Sequence, residues 1–172
     1  MILKYTSLIG KPVIDIQNQS QVGEICDFIF DGDDFGIKAI IVSQKSLFAV
    51  TKKVIAAADI VHILKDGIII ENEMSLSDID ELPRIKNLYE KKFFGADQKV
   101  RTESGQSIGH IYDYLIDNRT LSIAKFYTKK MFDERIISIT RIVSFEGKTI
   151  TIKDENVRAS VEKVAIEAAG AN

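Results

Sequence analysis

The sequence predicts a mainly β protein of two tandem small β-barrels, joined by a helical connector and followed by a C-terminal helix. Three observations support this fold class: an internal repeat, short runs rich in Ile, Val, Phe and Tyr within each copy, and two stretches with helical apolar spacing. Apolar residues make up 45% and charged residues 28% of the 172, a composition typical of globular proteins with buried cores.

The repeat defines the predicted domains. Residues 22–42 (VGEICDFIFDGDDFGIKAIIV) align without gaps on residues 108–128 (IGHIYDYLIDNRTLSIAKFYT) at an offset of 86, and the offset falls to 82 from residues 60 and 142 onward. This change means that the second copy lacks four residues, at the place that corresponds to the stretch between Gln44 and Asp59 of the first copy. We expect a surface loop or hairpin end there. The predicted domains are a first barrel at 1–73, the connector at 74–92, a second barrel at 93–155 and a C-terminal helix or tail at 156–172.

Within each copy the pattern is β throughout, and no helix is predicted to interrupt it. Copies of roughly 65 residues with such short strands favour a closed or half-closed barrel, because closure removes exposed sheet edges. The predicted hairpin turns are Asn18–Ser20, Asp31–Asp34, Lys65–Gly67, Ser104-Gly105, Asn118–Thr120 and Glu146-Gly147.

Glycines and aspartates recur at matching places in the two copies. The first copy has Gly10, Gly23, Asp27 and Asp31, and the second has Gly95, Gly109, Asp113 and Asp117. Glycine inside a strand indicates a bulge or a close backbone approach. The aspartates at 27 and 113 share a strand face with apolar residues, so we expect backbone N–H groups or a cation to satisfy them. All eight positions are therefore interpreted as structural.

Two segments outside the copies have helical spacing. In the connector the apolar residues are Leu76, Ile79, Leu82, Ile85, Leu88 and Tyr89. Pro83 suits a first helical position, and Ser77 is the predicted N-cap of the first half. The C-terminal stripe is Val157, Val161, Val164, Ala165 and Ala168, ended by Gly170. This last helix is expected to fold back on a barrel or to dock on a partner.

An ordered series of phrases in the first copy resembles the PRC-barrel domain: LIGKPVID (8–15), VGEICDFIFD (22–31), IKAIIVS (37–43) and AADIVHI (57–63). The second copy is similar to it through FFGADQKVRTESGQSIGHIYDYLID (93–117) and ITRIVSF (139–145). The resemblance implies two PRC-type barrels, a fold found in the photosynthetic reaction-centre H subunit and in a ribosome-maturation factor. In those proteins the barrel is an assembly or docking module, so the leading hypothesis is a non-catalytic protein-interaction module with a protein partner.

No constellation of residues indicates an enzyme. The two histidines, His62 and His110, lie in predicted strands without a nearby nucleophile, and Cys26 has no local feature that would activate its thiol. The acidic loop 31–36 fails the calcium-loop spacing, because Phe35 and Val42 take the fifth and twelfth positions. No nucleotide or hydrolase motif is present, so neither a metal nor a cofactor is expected. A small-ligand site between the barrels is the one enzymatic alternative.

Charge suggests a second function. The net charge of −2 gives no general attraction for nucleic acid, but basic and aromatic residues cluster in the second copy. The cluster consists of Lys125, Tyr127, Lys129, Lys130 and Arg135. Such a mixture contacts phosphates and stacks bases in RNA-binding barrels, so the alternative is an RNA- or ribosome-associated factor. The competing interpretation is a solvated strand edge whose lysines oppose aggregation.

Cysteine content and hydropathy predict the compartment. Cys26 is the only cysteine, so the chain has no internal disulfide and a reducing environment is expected. The first ten residues lack the features of a signal peptide, and no apolar run approaches the ~18 residues needed to span a bilayer. We therefore expect a cytoplasmic protein without membrane insertion.

Overall fold

Two sheets with the same strand order form most of the structure, which confirms the mainly β fold class. The computed structural model describes residues 1–46, 48–91 and 98–154. Strand β1 (Ile2–Lys4) and helix α1 (Tyr5–Leu8) come first. The first sheet contains β2 (Pro12–Asp15), β3 (Ser20–Phe30), β4 (Ile37–Lys45), β5 (Val50–Ala56), β6 (Ile60–Leu64) and β7 (Gly67–Ile70), in the order β5-β4-β3-β2-β7-β6. The second contains β8 (Lys99–Thr102), β9 (Ser107–Asp117), β10 (Ser122–Lys130), β11 (Asp133–Ser138), β12 (Ile142–Glu146) and β13 (Thr149–Ile152), in the order β11-β10-β9-β8-β13-β12.

The chain divides into two compact units. Of the described residues, the first unit comprises 1–46, 48–91 and 116–123, and the second comprises 98–115 and 124–154. The end of the β9–β10 hairpin thus groups with the first unit, where the Ile37 N–H donates to the Leu121 carbonyl at 2.7 Å. The domain bounds at 73, 92 and 155 stay predictions.

Among the described pairings, each sheet has a parallel pair of strands. β2 pairs with β7 and β8 pairs with β13 in parallel, whereas β3 pairs with β4 and β10 pairs with β11 in the antiparallel sense. In the ladders of the described ranges, neither order joins its two outer strands. Closure, one of the two barrel forms that the sequence left open, is therefore not found in the described ladders.

The core of each unit is made of β-branched and aromatic side chains that point inward. In the first unit it includes Val13, Ile25, Ile40, Ile55, Ile63, Ile68 and Ile70. In the second it includes Val100, Ile108, Ile111, Phe126, Ile137 and Ile150. Strand β10 alternates between buried and half-buried positions over most of its length, as expected for a sheet with one covered face. By contrast, β4 is buried on both faces from Ala39 to Val42, because the connector covers its outer side.

The deletion in the second copy lies at a hairpin tip, as expected from the sequence. Strands β4 and β5 pair out to Lys45 and Val50 and leave a loop at 46–49. Strands β10 and β11 pair out to Lys130 and Asp133 and leave only two residues, Met131 and Phe132, between them.

Gly23 and Gly109 lie where neighbouring strands approach closely. The register of β2 with β3 shifts beside Gly23, and that of β8 with β9 shifts beside Gly109, so each glycine adjoins a bulge. A Cβ atom on Gly23 would lie 2.5 Å from the Cγ1 of Val42. A Cβ atom on Gly109 would lie 2.3 Å from the carbonyl oxygen of Lys129. The predicted close approach is confirmed at both positions.

The connector is helical, as predicted, from 3-10 turns at Glu73–Ser75 and Ile79–Glu81 into helix α2 (Pro83–Lys91), which begins at the expected proline. The N-cap prediction of Ser77 was wrong, since the turn is capped by Asp78, whose N–H donates to the Glu81 carboxylate at 3.2 Å. Ser77 instead pairs with β5, where its N–H and carbonyl oxygen each form a 2.9 Å hydrogen bond with Val54.

Two further outcomes concern helical segments. The 3-10 turns Ala57–Asp59 and Ile139–Arg141 interrupt copies that were predicted to be free of helix. Each turn lies at the corner between two strands, where tight helical turns are common connectors. The predicted C-terminal helix and the repeat position Gly95 lie outside the described residues.

Asp15 anchors the end of β2 from a fully buried position. Its carboxylate accepts hydrogen bonds from the Asn18 N–H at 2.9 Å, the Asn18 side-chain amide at 2.7 Å and the Glu73 N–H at 3.0 Å. These donors, the Asn18 N–H above all, lower the pKa of Asp15 below its ordinary value, although burial opposes the shift. The carboxylate therefore ties the β2–β3 turn to the start of the connector.

We expect Gly109→Ala to destabilise the fold by about 2–4 kcal/mol, because the new methyl group meets backbone and the φ of +122° is strained for alanine. Gly105→Ala is the matched control, since Gly105 also has a positive φ but has open space around its Cα. It should cost only about 1 kcal/mol. Urea denaturation of both variants measures the difference, and equal losses would contradict a close approach at Gly109.

Replacing Asp15 with Asn should flatten the acid side of the stability profile. A carboxyl group with a lowered folded pKa stabilises the fold above its unfolded pKa of about 3.9, and this stabilisation is lost as pH falls through the folded value. Asp15→Asn should therefore lower the urea midpoint at pH 7, and its difference from wild type should shrink toward pH 3. Asp66→Asn, in an exposed turn, is the control and should leave the profile unchanged.

Candidate interaction surfaces

The tip of the β4–β5 hairpin exposes apolar side chains. Phe48, in the loop beyond the last strand pair, is 97% exposed, and the neighbouring Val50 is also exposed. The loop is held by Ser46, whose N–H donates to the Ala49 carbonyl at 2.9 Å. The hairpin therefore presents an exposed aromatic ring just before β5.

The tip of the β10–β11 hairpin has the same character. Phe132 is 97% exposed and Met131 is 80% exposed. The two residues form the whole loop, and Met131 has a positive φ of 56°, as tight two-residue hairpins require. We call the loops 46–49 and 131–132 the hairpin tips. In both units the equivalent hairpin thus ends in an exposed phenylalanine.

The outer face of the first sheet is covered by the connector. Ile29, Ala39, Ile41 and Val54 form a buried cluster, and Ile79, Leu82, Ile85 and Leu88 of the connector pack against it together with Cys26. An ion pair of 2.9 Å between Lys53 and Asp78 flanks this contact. The barrel wall therefore accepts a helical segment along an apolar seam.

The corresponding face of the second sheet presents larger side chains. The tyrosine rings of Tyr112 and Tyr127 lie 5.6 Å apart, and the Tyr112 hydroxyl donates to the Glu134 carboxylate at 3.2 Å. Burial and, next, the Glu134 charge raise the pKa of Tyr112 to about 12. Tyr112 is nevertheless 44% exposed, and Ile136 on β11 is half-buried. We call Tyr112, Leu115, Tyr127 and Ile136 the second outer face.

The predicted aspartates of the strands are satisfied by hydrogen bonds. The Asp27 carboxylate accepts the Tyr5 hydroxyl at 2.7 Å and the Phe28 N–H at 2.8 Å. The Asp113 carboxylate is buried and accepts the Tyr114 N–H at 2.8 Å. Backbone N–H groups therefore donate to both carboxylates, which is one of the two ways of satisfying them that the sequence predicted. Asp27 is only half-buried, because a bulge follows Ile25.

The paired aspartates at the strand ends organise turns. Asp31 accepts the Asp33 N–H at 3.0 Å, and Asp117 accepts the Arg119 N–H at 3.0 Å. The Arg119 side chain holds the pKa of the Asp117 carboxyl below its ordinary value. Gly10, the remaining described repeat position, has a φ of 79° and donates its N–H to the Ile25 carbonyl at 2.8 Å. These contacts fit the structural role that the sequence indicated.

The residues of the predicted basic patch lie on β10 and β11, but acidic groups accompany them. Lys129 pairs with Glu134 at 3.2 Å, and Arg135 pairs with Asp133. The Lys130 ammonium group donates to the Ser107 carbonyl at 3.0 Å. Tyr127 contacts the Tyr112 ring, and Lys125 is half-buried on the same strand. Acidic partners therefore offset the charges of Lys129 and Arg135.

The two histidines and the cysteine lie on three different strands. His62 is exposed on β6 in the first unit, His110 is exposed on β9 in the second unit, and Cys26 is a half-buried free thiol on β3. A cavity of about 550 Å³ beside the connector is lined by apolar residues and by the charged residues Asp31, Lys38, Glu81 and Arg84. Among the described residues, no group of three or more His, Cys, Asp or Glu side chains could hold a metal ion.

Sequence reasoning missed the hairpin tips. Neither Phe48 nor Phe132 is among the site residues predicted from the sequence. The signal was nevertheless in the sequence, because a large apolar residue within a predicted turn has no sheet face on which to be buried.

Comparison with known proteins agrees with the fold. The PRC-barrel domain family matches residues 1–75, and no curated protein matches the chain. The match does not reach the second sheet, so its membership in the same family stays a prediction. In the part of the chain that the structure describes, no helix is long and apolar enough to cross a membrane. The family match therefore supports a PRC-barrel domain over residues 1–75.

Proposed function

We propose that this protein is a non-catalytic interaction module that uses its hairpin tips to bind a partner protein. The observation that carries the proposal is the 97% exposure of Phe48 and of Phe132 at the tips of equivalent hairpins. The two tips differ in length and sequence, yet each ends in an exposed aromatic ring. The family match supports the proposal, because PRC barrels resemble this chain in fold and serve as docking modules.

The energetics of the tips favour binding to an apolar pocket. Full burial of an exposed phenylalanine contributes roughly 1.5–3 kcal/mol. Aromatic and methionine side chains are enriched in protein interfaces, and Met131 adds a flexible apolar group beside Phe132.

The non-catalytic part of the proposal rests on the sequence, in which neither histidine has a nearby nucleophile. The thiol of Cys26 is on a strand whose neighbours are mostly apolar. General acid–base or nucleophilic chemistry needs such groups within hydrogen-bond reach of each other. We therefore propose binding rather than catalysis.

The RNA alternative has less support. Phosphate binding needs cations that are available to the ligand, and two of those in the patch already have acidic partners. Tyr127 packs beside Tyr112, so it is less suited to stack a base than an exposed ring. The protein partner is accordingly the first candidate, and RNA is an outcome of the test.

Phe48→Ser combined with Phe132→Ser should reduce partner recovery at least tenfold in crosslinked affinity capture from native lysate. The matched control replaces two exposed apolar residues away from the tips, Ile16→Ser and Met74→Ser, and should retain recovery. Circular dichroism and the urea midpoint should remain those of wild type in both variants, because the replaced side chains are exposed.

Equal recovery from the tip variant and the wild type, or a chain recovered alone after crosslinking, would refute the proposal. A partner lost on ribonuclease treatment would indicate RNA instead. In that case charge reversal of Lys125, Lys129 and Lys130 to Glu should reduce RNA retention, whereas the tip variant should not.

A further inference from the structure

Strand β5 lies at one end of the first sheet, and half of its main-chain groups point away from that sheet. In an antiparallel pair, the N–H and C=O groups of successive residues point alternately toward the neighbouring strand and away from it. The register of β4 with β5 runs without a shift from Ala39 and Ala56 to Lys45 and Val50, so the alternation is unbroken along β5.

Contacts at the two ends of β5 show which residues point away. At the hairpin end, the Ser46 N–H donates to the Ala49 carbonyl at 2.9 Å, so the main chain of Ala49 faces the β4 side. At the other end, Val54 exchanges two hydrogen bonds of 2.9 Å with Ser77 of the connector, so the main chain of Val54 faces outward.

Both ends give the same assignment for the residues between them. Val50 and Lys52 have the outward parity of Val54, whereas Thr51 and Lys53 face β4. Among the described residues, no hydrogen bond reaches the outward main-chain groups of Val50 and Lys52, and both residues are exposed. One N–H and one C=O of each residue are therefore available to a further strand.

The connector shows that this edge accepts an extended main chain. Ser77 pairs with Val54 as an isolated antiparallel bridge. The chain then leaves the edge in the 3-10 turn Ile79–Glu81. The part of the edge between this bridge and the first hairpin tip is thus not paired by the connector.

We propose that the partner protein adds an extended, acidic segment to the outer edge of β5, with hydrogen bonds to Val50 and Lys52. The inference rests on the proposed function, because the edge adjoins the tip at 46–49, and it names the form of the segment that binds there. In strand addition, main-chain hydrogen bonds supply affinity and alternate side chains supply specificity.

Charge on and beside β5 favours an acidic segment. Residues 45–53 contain three lysines and no acidic residue. Lys45 pairs with Glu24 at 2.6 Å and Lys53 pairs with Asp78 at 2.9 Å. Lys52 has no acidic partner within the described ranges. Opposite charges on adjacent strands stabilise their pairing, and an edge lysine opposes pairing with another basic strand.

The exposed side chains of β5 offer an apolar contact beside that lysine. Val50, Lys52 and Val54 lie on one face of the strand, because side chains alternate between the two faces. Val54 is buried beneath the connector, whereas Val50 is 65% exposed. An added strand would place its own side chains against Val50, next to the exposed ring of Phe48.

Hydrogen exchange of the full chain, measured by NMR, tests the proposal with a cyclised β-hairpin peptide as probe. One edge of the probe carries a glutamate between valines, and the control probe is N-methylated on the outward amides of that edge. In the chain alone, the amides of Val50 and Lys52 should exchange at least tenfold faster than those of Thr51 and Lys53. Millimolar probe should slow exchange at Val50 and Lys52 at least fivefold, and the control probe should not.

Equal protection of all four amides in the dilute chain, no response to the probe, or equal responses to both probes would overturn the proposal. Protection that rises with chain concentration in the absence of probe would identify a second copy as the occupant and would overturn it as well.

Two variants separate the main chain from the charge. Lys52→Pro removes the outward N–H but no hydrogen bond to β4, so it should weaken probe binding at least tenfold. Lys52→Glu keeps the N–H and should prefer a probe with lysine in place of the glutamate. The urea midpoint checks the fold of each variant, and the charge reversal remains a test if the proline variant is unstable. An unchanged preference for the glutamate probe in Lys52→Glu would overturn the acidic assignment.

Failure of the proposed function is a distinguishable result. The tip variant, Phe48→Ser with Phe132→Ser, keeps the outward groups of β5 and should bind the probe as the wild type does. Unchanged partner capture by the tip variant would refute the proposed function, whereas unchanged probe binding by a folded Lys52→Pro variant would refute the strand addition alone.

Discussion

Coverage of the outer face of β3, β4 and β5 is the constraint on which the architecture of the first unit depends. A six-stranded sheet of this size fills its interior with one set of side chains, but Ile29, Ala39, Ile41 and Val54 point to the other side. The hydrophobic effect favours a cover for that surface, and the connector supplies it. The apolar run of β4, the helical spacing of the connector and the pairing of Ser77 with Val54 all serve this contact.

The glycines set the second constraint, which is how closely the strands approach. At Gly23 and Gly109 a side chain would meet the neighbouring strand, so the absence of Cβ permits the bulges beside them. The bulges also change which residues face inward. Asp27 follows a separate irregularity, between β3 and β4, and its carboxylate accepts hydrogen bonds from the Tyr5 hydroxyl and the Phe28 N–H. The same local geometry explains why a carboxylate is tolerated there.

Features that depend on local chemistry could be predicted from the sequence. The close approach at Gly23, the hairpin deletion and the helix start at Pro83 follow from residue type and spacing. Features that depend on tertiary pairing could not. Ser77 has a side chain that suits an N-cap, but its backbone forms hydrogen bonds with Val54 on β5. The N-cap residue is therefore Asp78. Apolar periodicity likewise does not predict the exposure of Phe48 and Phe132, because a turn has no repeating buried face.

The parallel pairing of β2 with β7 has a consequence for how the domain is made. Val13 lies opposite Ile68, so the central strand of the sheet has no partner on one side until more than fifty further residues have been added. During synthesis on the ribosome, the hairpins of β3, β4 and β5 can form early, but the six-stranded sheet cannot be completed before β6 and β7 emerge. Since such sequence-distant pairings form slowly, nascent chains arrested before residue 68 would keep β2 unpaired on that side.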